Sequence, residues 1–276
     1  MPQDIVSAPL GEVRVSSTAD GGTALTTTAA FVAFPVGTDY VILTPRNFST
    51  AVVCKYSLNP FLTVLKTTDA LVAASNITDG SKNVQDGDTG TSLSLNSFST
   101  AANSDFIYVG SHIPFRGVRV IIGNTNAGSA SVLTVKYRKS DNTWADISVT
   151  DGTSSGGKTF AQTGNVTWTL PTDWIARSLV SIGDTTLVAP AILNEPEMYW
   201  TRWETDVVFD STVTATGMLA MNRVTTYDEI PAGMSADFRI KSHQHRGIGC
   251  VEALTDAGTA NLIVSVAVTG VGGKFA

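Results

Sequence analysis

Histidine, cysteine and charge are all scarce in this chain, and each shortage removes a class of function. With three histidines, His112, His243 and His245, and no Gly-x-Ser-x-Gly pattern, nothing suggests a hydrolytic triad. The two cysteines, Cys54 and Cys250, lie in apolar runs without a Cys-x-x-Cys spacing, so neither a zinc ribbon nor a disulfide scaffold is expected. Both read as buried thiols. Eighteen basic residues face 24 acidic ones, for a net charge of −6, and the basic residues are scattered. Neutralising phosphates needs clustered Lys and Arg, so nucleic acid is excluded as the expected partner. No apolar run approaches the roughly 18 residues of a membrane helix. The N-terminal MPQDIVSAPLGEVRV meets Asp4 and Glu12 before any apolar stretch, so no secretory leader is expected. These absences point to a soluble chain made in the cytoplasm, with no membrane partner. A phosphate-cradling glycine loop is also missing, because GNTNAG at 123–128 carries no Lys-Ser or Lys-Thr and reads as a hairpin connection.

Charged residues make up 15% of the chain, well below the roughly 25% of ordinary soluble domains, and Thr, Ser, Asn and Gly take their place. A hydroxyl costs less to strip of water than a carboxylate or an ammonium group, so such a surface can be covered by a partner without stranding an ion. A turn-rich β protein has the same composition for local reasons. The 43% of hydrophobic residues in 276 supplies cores for one large or two ordinary domains.

What the chain does contain is strands. Trp144, Ile147 and Val149 alternate with polar residues, a Gly-Ser break follows, and Val166, Trp168 and Leu170 resume the alternation until Pro171. Similar segments run from residue 12 to residue 268. Helical periodicity is confined to short pieces at 69–75 and 174–178, so the expected class is all-β. The polar stretch ITDGSKNVQDGDTGTS interrupts the pattern, as does TTYDEIPAG at 225–233. They predict two β-sandwich domains: a discontinuous one from 1–78 plus 228–276, and an inserted jelly roll at 86–225, with linkers at 79–85 and 226–227.

Three groups of residues could carry chemistry. On a strand, His243 and His245 would share a face, and three copies about a threefold axis could hold a metal, although the neighbouring Lys241 and Arg246 oppose a cation. Asp79, Asn83, Asp86 and Asp88 have the oxygen content of a calcium loop without its closing Glu, and Asx turns explain them equally. Tyr199, Trp200 and Trp203, flanked by Glu195, Glu197, Glu204, Asp206 and Asp210, suggest a glycan or partner platform beside paired carboxylates. Alternation divides these aromatics between core and surface. Lys136 to Lys139 read as a solvated strand end. No cofactor is implied and no enzyme is expected.

DGDTGTSLSLNSF, SDFIYVGSHIPFRGVRVIIG, SVLTVKYRKSDNTWADISVTDGT, GNVTWTLPTDW and MYWTRWETDV together resemble the galactose-binding-like jelly-roll domains of tailed-bacteriophage structural proteins, over roughly residues 86–225. FVAFPVGTDYVILTPRNFSTAVVCKYSLNPFLTVLKTTD is similar to sequences encoded among phage virion genes. The resemblance implies a virion component made in the bacterial host. It would be a decoration or cement protein that clamps the major capsid protein as a homotrimer, with MPQDIVSAPLGEV as a candidate contact arm. The alternative it implies is a tail or fibre protein that binds a host glycan.

Overall fold

The computed structural model describes residues 13–14, 21–35, 38–50, 53–99, 103–183, 197–221, 227–239 and 247–267. His243, His245, Glu195 and all but the last residue of the expected contact arm at 1–13 lie outside them. The first strands are β1 (Val13–Arg14), β2 (Thr23–Leu25), β3 (Ala30–Ala33), β4 (Tyr40–Arg46), β5 (Val53–Pro60), β6 (Thr63–Thr67) and β7 (Ile77–Asp79). They continue with β8 (Leu93–Ser94), β9 (Phe106–Ser111), β10 (Gly117–Asn124), β11 (Leu133–Arg138), β12 (Trp144–Ile147), β13 (Val149–Asp151) and β14 (Gly164–Trp168). The last are β15 (Ala176–Arg177), β16 (Met198–Thr205), β17 (Thr214–Met221), β18 (Asp228–Pro231), β19 (Ala236–Arg239), β20 (Ile248–Thr255) and β21 (Ala260–Ala267). A 3₁₀ turn at Ala74–Asn76 and one helical turn, α1 (Leu179–Ile182), complete the described elements. The protein is all-β, and antiparallel sheets pack as sandwiches. Among the described residues, no helix is long and apolar enough to cross a membrane.

The chain divides into two compact units, Met1–Leu58 with Thr226–Ala276, and Asn59–Thr225. In the first unit, one sheet has the order β1-β21-β4-β19, with β2 also on β21, and the other has the order β18-β5-β20-β3. Val41, Leu43, Val251, Ala253, Leu262 and Val264 alternate inward and form its core. Cys54 sits in that core, where burial pushes its thiol up to about 11. Cys250 is also buried and lies one residue out of phase with the core-facing Val251. Neither cysteine forms a disulfide.

The second unit pairs a seven-stranded sheet, β12-β11-β16-β9-β6-β7 with β15 on β16, with a five-stranded sheet, β13-β14-β10-β17-β8. Val64, Val109, Val135 and Trp203 from the first sheet meet Val118, Val166, Trp168 and Met218 from the second. Each such aliphatic side chain stabilises the sandwich by about 1.5–3 kcal/mol relative to exposure. A second apolar cluster covers the other face of the seven-stranded sheet: Leu65, Tyr108 and Trp200 lie under Leu71 and the α1 residues Leu179 and Ile182.

Five expectations from the sequence are corrected here. The unit boundary falls at Leu58/Asn59, because β6 pairs with β9 (Leu65 opposite Tyr108) and its apolar residues fill both faces of that sheet. The supposed linker at 79–85 is packed into the same unit: Val84 and Gln85 are each 1% exposed. Residues 174–178 form no helix; Ala176 and Arg177 pair with β16, and α1 follows them. The 123–128 segment is no hairpin turn, because β10 and β11 belong to different sheets. One expected strand at 146–149 also proves to be two, since the chain leaves the seven-stranded sheet after Ile147 and enters the five-stranded one at Val149.

Candidate functional site

β16 carries the aromatic cluster, and alternation sends its tryptophans to opposite faces. Both faces turn out to be covered. Trp203 is fully buried in the main core, donates Nε1–H to Thr201 Oγ1 at 3.0 Å and meets Trp168 edge-on at 6.5 Å. Trp200 is 2% exposed and donates Nε1–H to the Arg177 carbonyl at 2.9 Å. Gly110 lies opposite it, and a Cβ there would stand 2.6 Å from the indole ring, so the close approach requires glycine. Tyr199 is half-buried against Trp174, with ring centroids 5.7 Å apart. A sugar stacks on an open ring face, and neither Trp200 nor Trp203 presents one. As a glycan or partner platform the cluster therefore reduces to the exposed part of Tyr199.

The described flanking carboxylates have separate surroundings. Glu204 lies on the outer face of the seven-stranded sheet, where Arg202 reaches Oε1 at 2.5 Å and Lys136 reaches Oε2 at 3.2 Å. Arg202 is in turn stacked over Phe106 and Trp144, at 4.6 and 5.0 Å from their ring centroids. Arg138, expected at a solvated strand end, is 9% exposed, lies over Trp144 and donates to the Ser181 carbonyl at 3.2 Å. Asp206 accepts the Val132 N–H at 2.7 Å. Asp210 accepts the Thr212 hydroxyl and N–H and the Ala127 N–H, and these bonds hold its carboxyl below the usual range. Glu197 is exposed. Glu204 thus neutralises its basic neighbours, while Asp206 and Asp210 tie loops.

In the 79–91 segment, Asp79 accepts the Ser81 N–H and hydroxyl, Asp86 the Asp88 N–H and the Thr91 hydroxyl, and Asp88 the Gly90 N–H. Asn83 donates to the Ser92 carbonyl at 3.3 Å. Asx turns thus account for the three aspartates, and Asn83 ties the segment to Ser92. Among the described residues no three His, Cys, Asp or Glu side chains gather as a metal site. His112 is exposed on the loop after β9, and the His243/His245 pair lies outside the described residues.

A cleft of about 630 Å³ opens in the second unit where the two sheets end side by side, lined by Arg116, Tyr137, Ile147, Thr150, Thr167 and Trp168 among others. Two backbone bonds fix Arg116: its N–H donates to Met221 O at 3.0 Å, and its carbonyl accepts the Trp168 N–H at 2.9 Å. Tyr137 donates its hydroxyl to Asp173 at 2.7 Å, which pushes the phenol up to about 12. Trp168 Nε1–H is taken by the Phe115 carbonyl at 3.0 Å. The aromatic polar groups are therefore satisfied within the wall, and the rest of the lining includes serine and threonine residues, one arginine and one aspartate, Asp146. Sequence reasoning passed over these residues, since none forms a motif. Of the lining, only the Pro171 stop left a mark in the sequence.

No protein-family model, no curated protein and no solved structure matches this chain.

Proposed function

We propose that the chain is a non-enzymatic structural protein of a tailed-phage virion, a decoration protein that clamps neighbouring major capsid subunits, and that its second unit is a galactose-binding-like jelly roll. The observation that carries this reading is the fate of the polar side chains. Tryptophans close cores, carboxylates close turns, and hydroxyl-bearing residues such as Thr134, Thr150, Thr167 and Thr214 remain partly or fully exposed along the strands. A surface of that kind sticks by area, which suits a protein added to a lattice. Bound across a joint, it would raise the cost of separating the joined pieces by mass action. Its trimeric state belongs to the same proposal. The alternative of a tail or fibre protein binding a host glycan loses the support it drew from Trp200 and Trp203, whose rings are buried. Immunogold electron microscopy of intact particles tests the reading. Label over the head surface is the expected result, and label confined to the tail tip would overturn it.

A further inference from the structure

Four aspartates in this chain precede a glycine, and one of them, Asp20, lies outside the described residues. The other three share one local geometry. The carboxyls of Asp79, Asp86 and Asp151 each accept the N–H two residues on, from Ser81, Asp88 and Thr153, all at 2.9 Å. Such a turn folds the carboxyl back over the peptide that joins the aspartate to its glycine. What differs is the N–H of that peptide. Gly80 donates it to the Val64 carbonyl at 2.9 Å, and Gly152 donates it to the Asn165 carbonyl at 2.8 Å. Both glycines are also closely packed: a Cβ on Gly80 would stand 2.9 Å from Leu93 Cδ1, and one on Gly152 would stand 2.7 Å from the Asn165 carbonyl oxygen. Gly87 is exposed, has a φ of +74°, and its N–H makes no hydrogen bond among the described residues.

We propose that the Asp86–Gly87 step is a site of spontaneous covalent modification, at which the folded protein converts Asp86 to isoaspartate. The Gly87 nitrogen bonds to Cγ of the protonated carboxyl, a C–O bond of that carboxyl breaks, and the departing hydroxyl leaves as water with the hydrogen of the nitrogen. Water then opens the five-membered imide. Addition at Cγ breaks the new C–N bond and restores aspartate, whereas addition at the Asp86 main-chain carbonyl breaks the original one and leaves the chain running through the side chain. The water lost in the first step returns in the second, so no oxidant, reductant or other reagent is needed. Glycine suits the attack because no side chain shields its nitrogen. At Asp79 and Asp151 the same nitrogen is held in a hydrogen bond, and it reacts only in the fraction of molecules in which that bond has opened. The extra main-chain atom arrives beside Gln85, whose side chain is bonded to Leu62, so the modification falls on the segment that holds the start of β6.

The test keeps the full chain native in water labelled with heavy oxygen, near neutral pH, and digests aliquots with trypsin in ordinary water. Each opening of the imide places one solvent oxygen in the residue. Cuts after Lys66, Lys82, Arg116, Lys139 and Lys158 put Asp79, Asp86 and Asp151 in separate peptides, 67–82, 83–116 and 140–158. Peptide 83–116 is expected to gain heavy oxygen at least about tenfold faster than either of the others, because its amide needs no opening step. Fragment masses are expected to place the label at Asp86, part of it as isoaspartate. In guanidinium chloride, where the bonds of Gly80 and Gly152 are lost, the three rates are expected to converge. Equal labelling of the three peptides in the native protein, or label at Asp79 or Asp151 ahead of Asp86, would overturn the site. So would an unlabelled Asp86 over a time in which the unfolded chain labels, or a preference for Asp86 that persists undiminished in guanidinium chloride.

Discussion

Gln85 stands in for a strand neighbour. Its Oε1 accepts the Leu62 N–H at 2.6 Å, and its Nε2 donates to the Leu62 carbonyl and to the Ser81 carbonyl, the latter at 3.0 Å. The residue is 1% exposed, so water cannot replace it without a rearrangement. Gln85→Leu removes all of these bonds and leaves one buried N–H and two carbonyls short of a partner. An orphaned buried group costs about 1–3 kcal/mol, carbonyls less than N–H groups because they keep a second lone pair. The added apolar contact of leucine offsets roughly 1 kcal/mol. The expected net loss is about 2–4 kcal/mol. Tryptophan fluorescence reports on this unit alone, because Trp144, Trp168, Trp174, Trp200 and Trp203 all fall within Asn59–Thr225. With a slope of roughly 2 kcal/mol per M urea, the unfolding midpoint should drop by about 1–2 M. A shift under about 0.3 M would refute the reasoning, and would mean that residues 79–85 behave as the linker their composition suggests.

Two further outcomes follow from the same geometry. The carboxyls of Asp210 and Asp141 are held low by hydrogen bonds, from Thr212 and Thr143 respectively, so the unfolded chain binds protons at a higher pH than the folded one. Their contribution is complete above the ordinary value of 3.8 and is lost as pH falls through the lower folded values. Urea midpoints should therefore fall below about pH 4, and the Asp141→Asn/Asp210→Asn double variant should fall less steeply; an unchanged slope would remove these two groups from the account. Cys54, pushed up to about 11, holds only about a thousandth of its thiol as thiolate at pH 8 and is buried besides. Modification of both cysteines by a thiol-exchange reagent should wait for unfolding, and one rapidly reacting equivalent in the native protein would contradict the burial described.

Much of the architecture was visible in the alternation of side chains. The runs around Val118, Val135, Val166 and Val264 are written with a period of two, and a half-buried strand is the one element that uses it. The Asx turns of the 79–91 segment were legible too, since their bonds close within a few residues. Period two cannot say how many faces are covered. Trp200 alternates away from Trp203, and it looks surface-bound until Leu71 and α1 are seen to roof it. Nor can it say which sheet a strand joins. β12 and β13 read as one strand because the change of sheet takes a single residue, Ser148, with no glycine or proline to mark it.

The sequence by itself determined the class: an all-β chain poor in charge, histidine and cysteine. Only the tertiary structure decided that 59–85 belong with the central strands, that the tryptophan cluster is sealed, and that Arg116 and four hydroxyls share an open cleft. The physical reason is range. Turns and alternation are settled between neighbours a few residues apart, whereas a cleft is made by segments such as 116, 148 and 167 that meet only when two sheets close on one core.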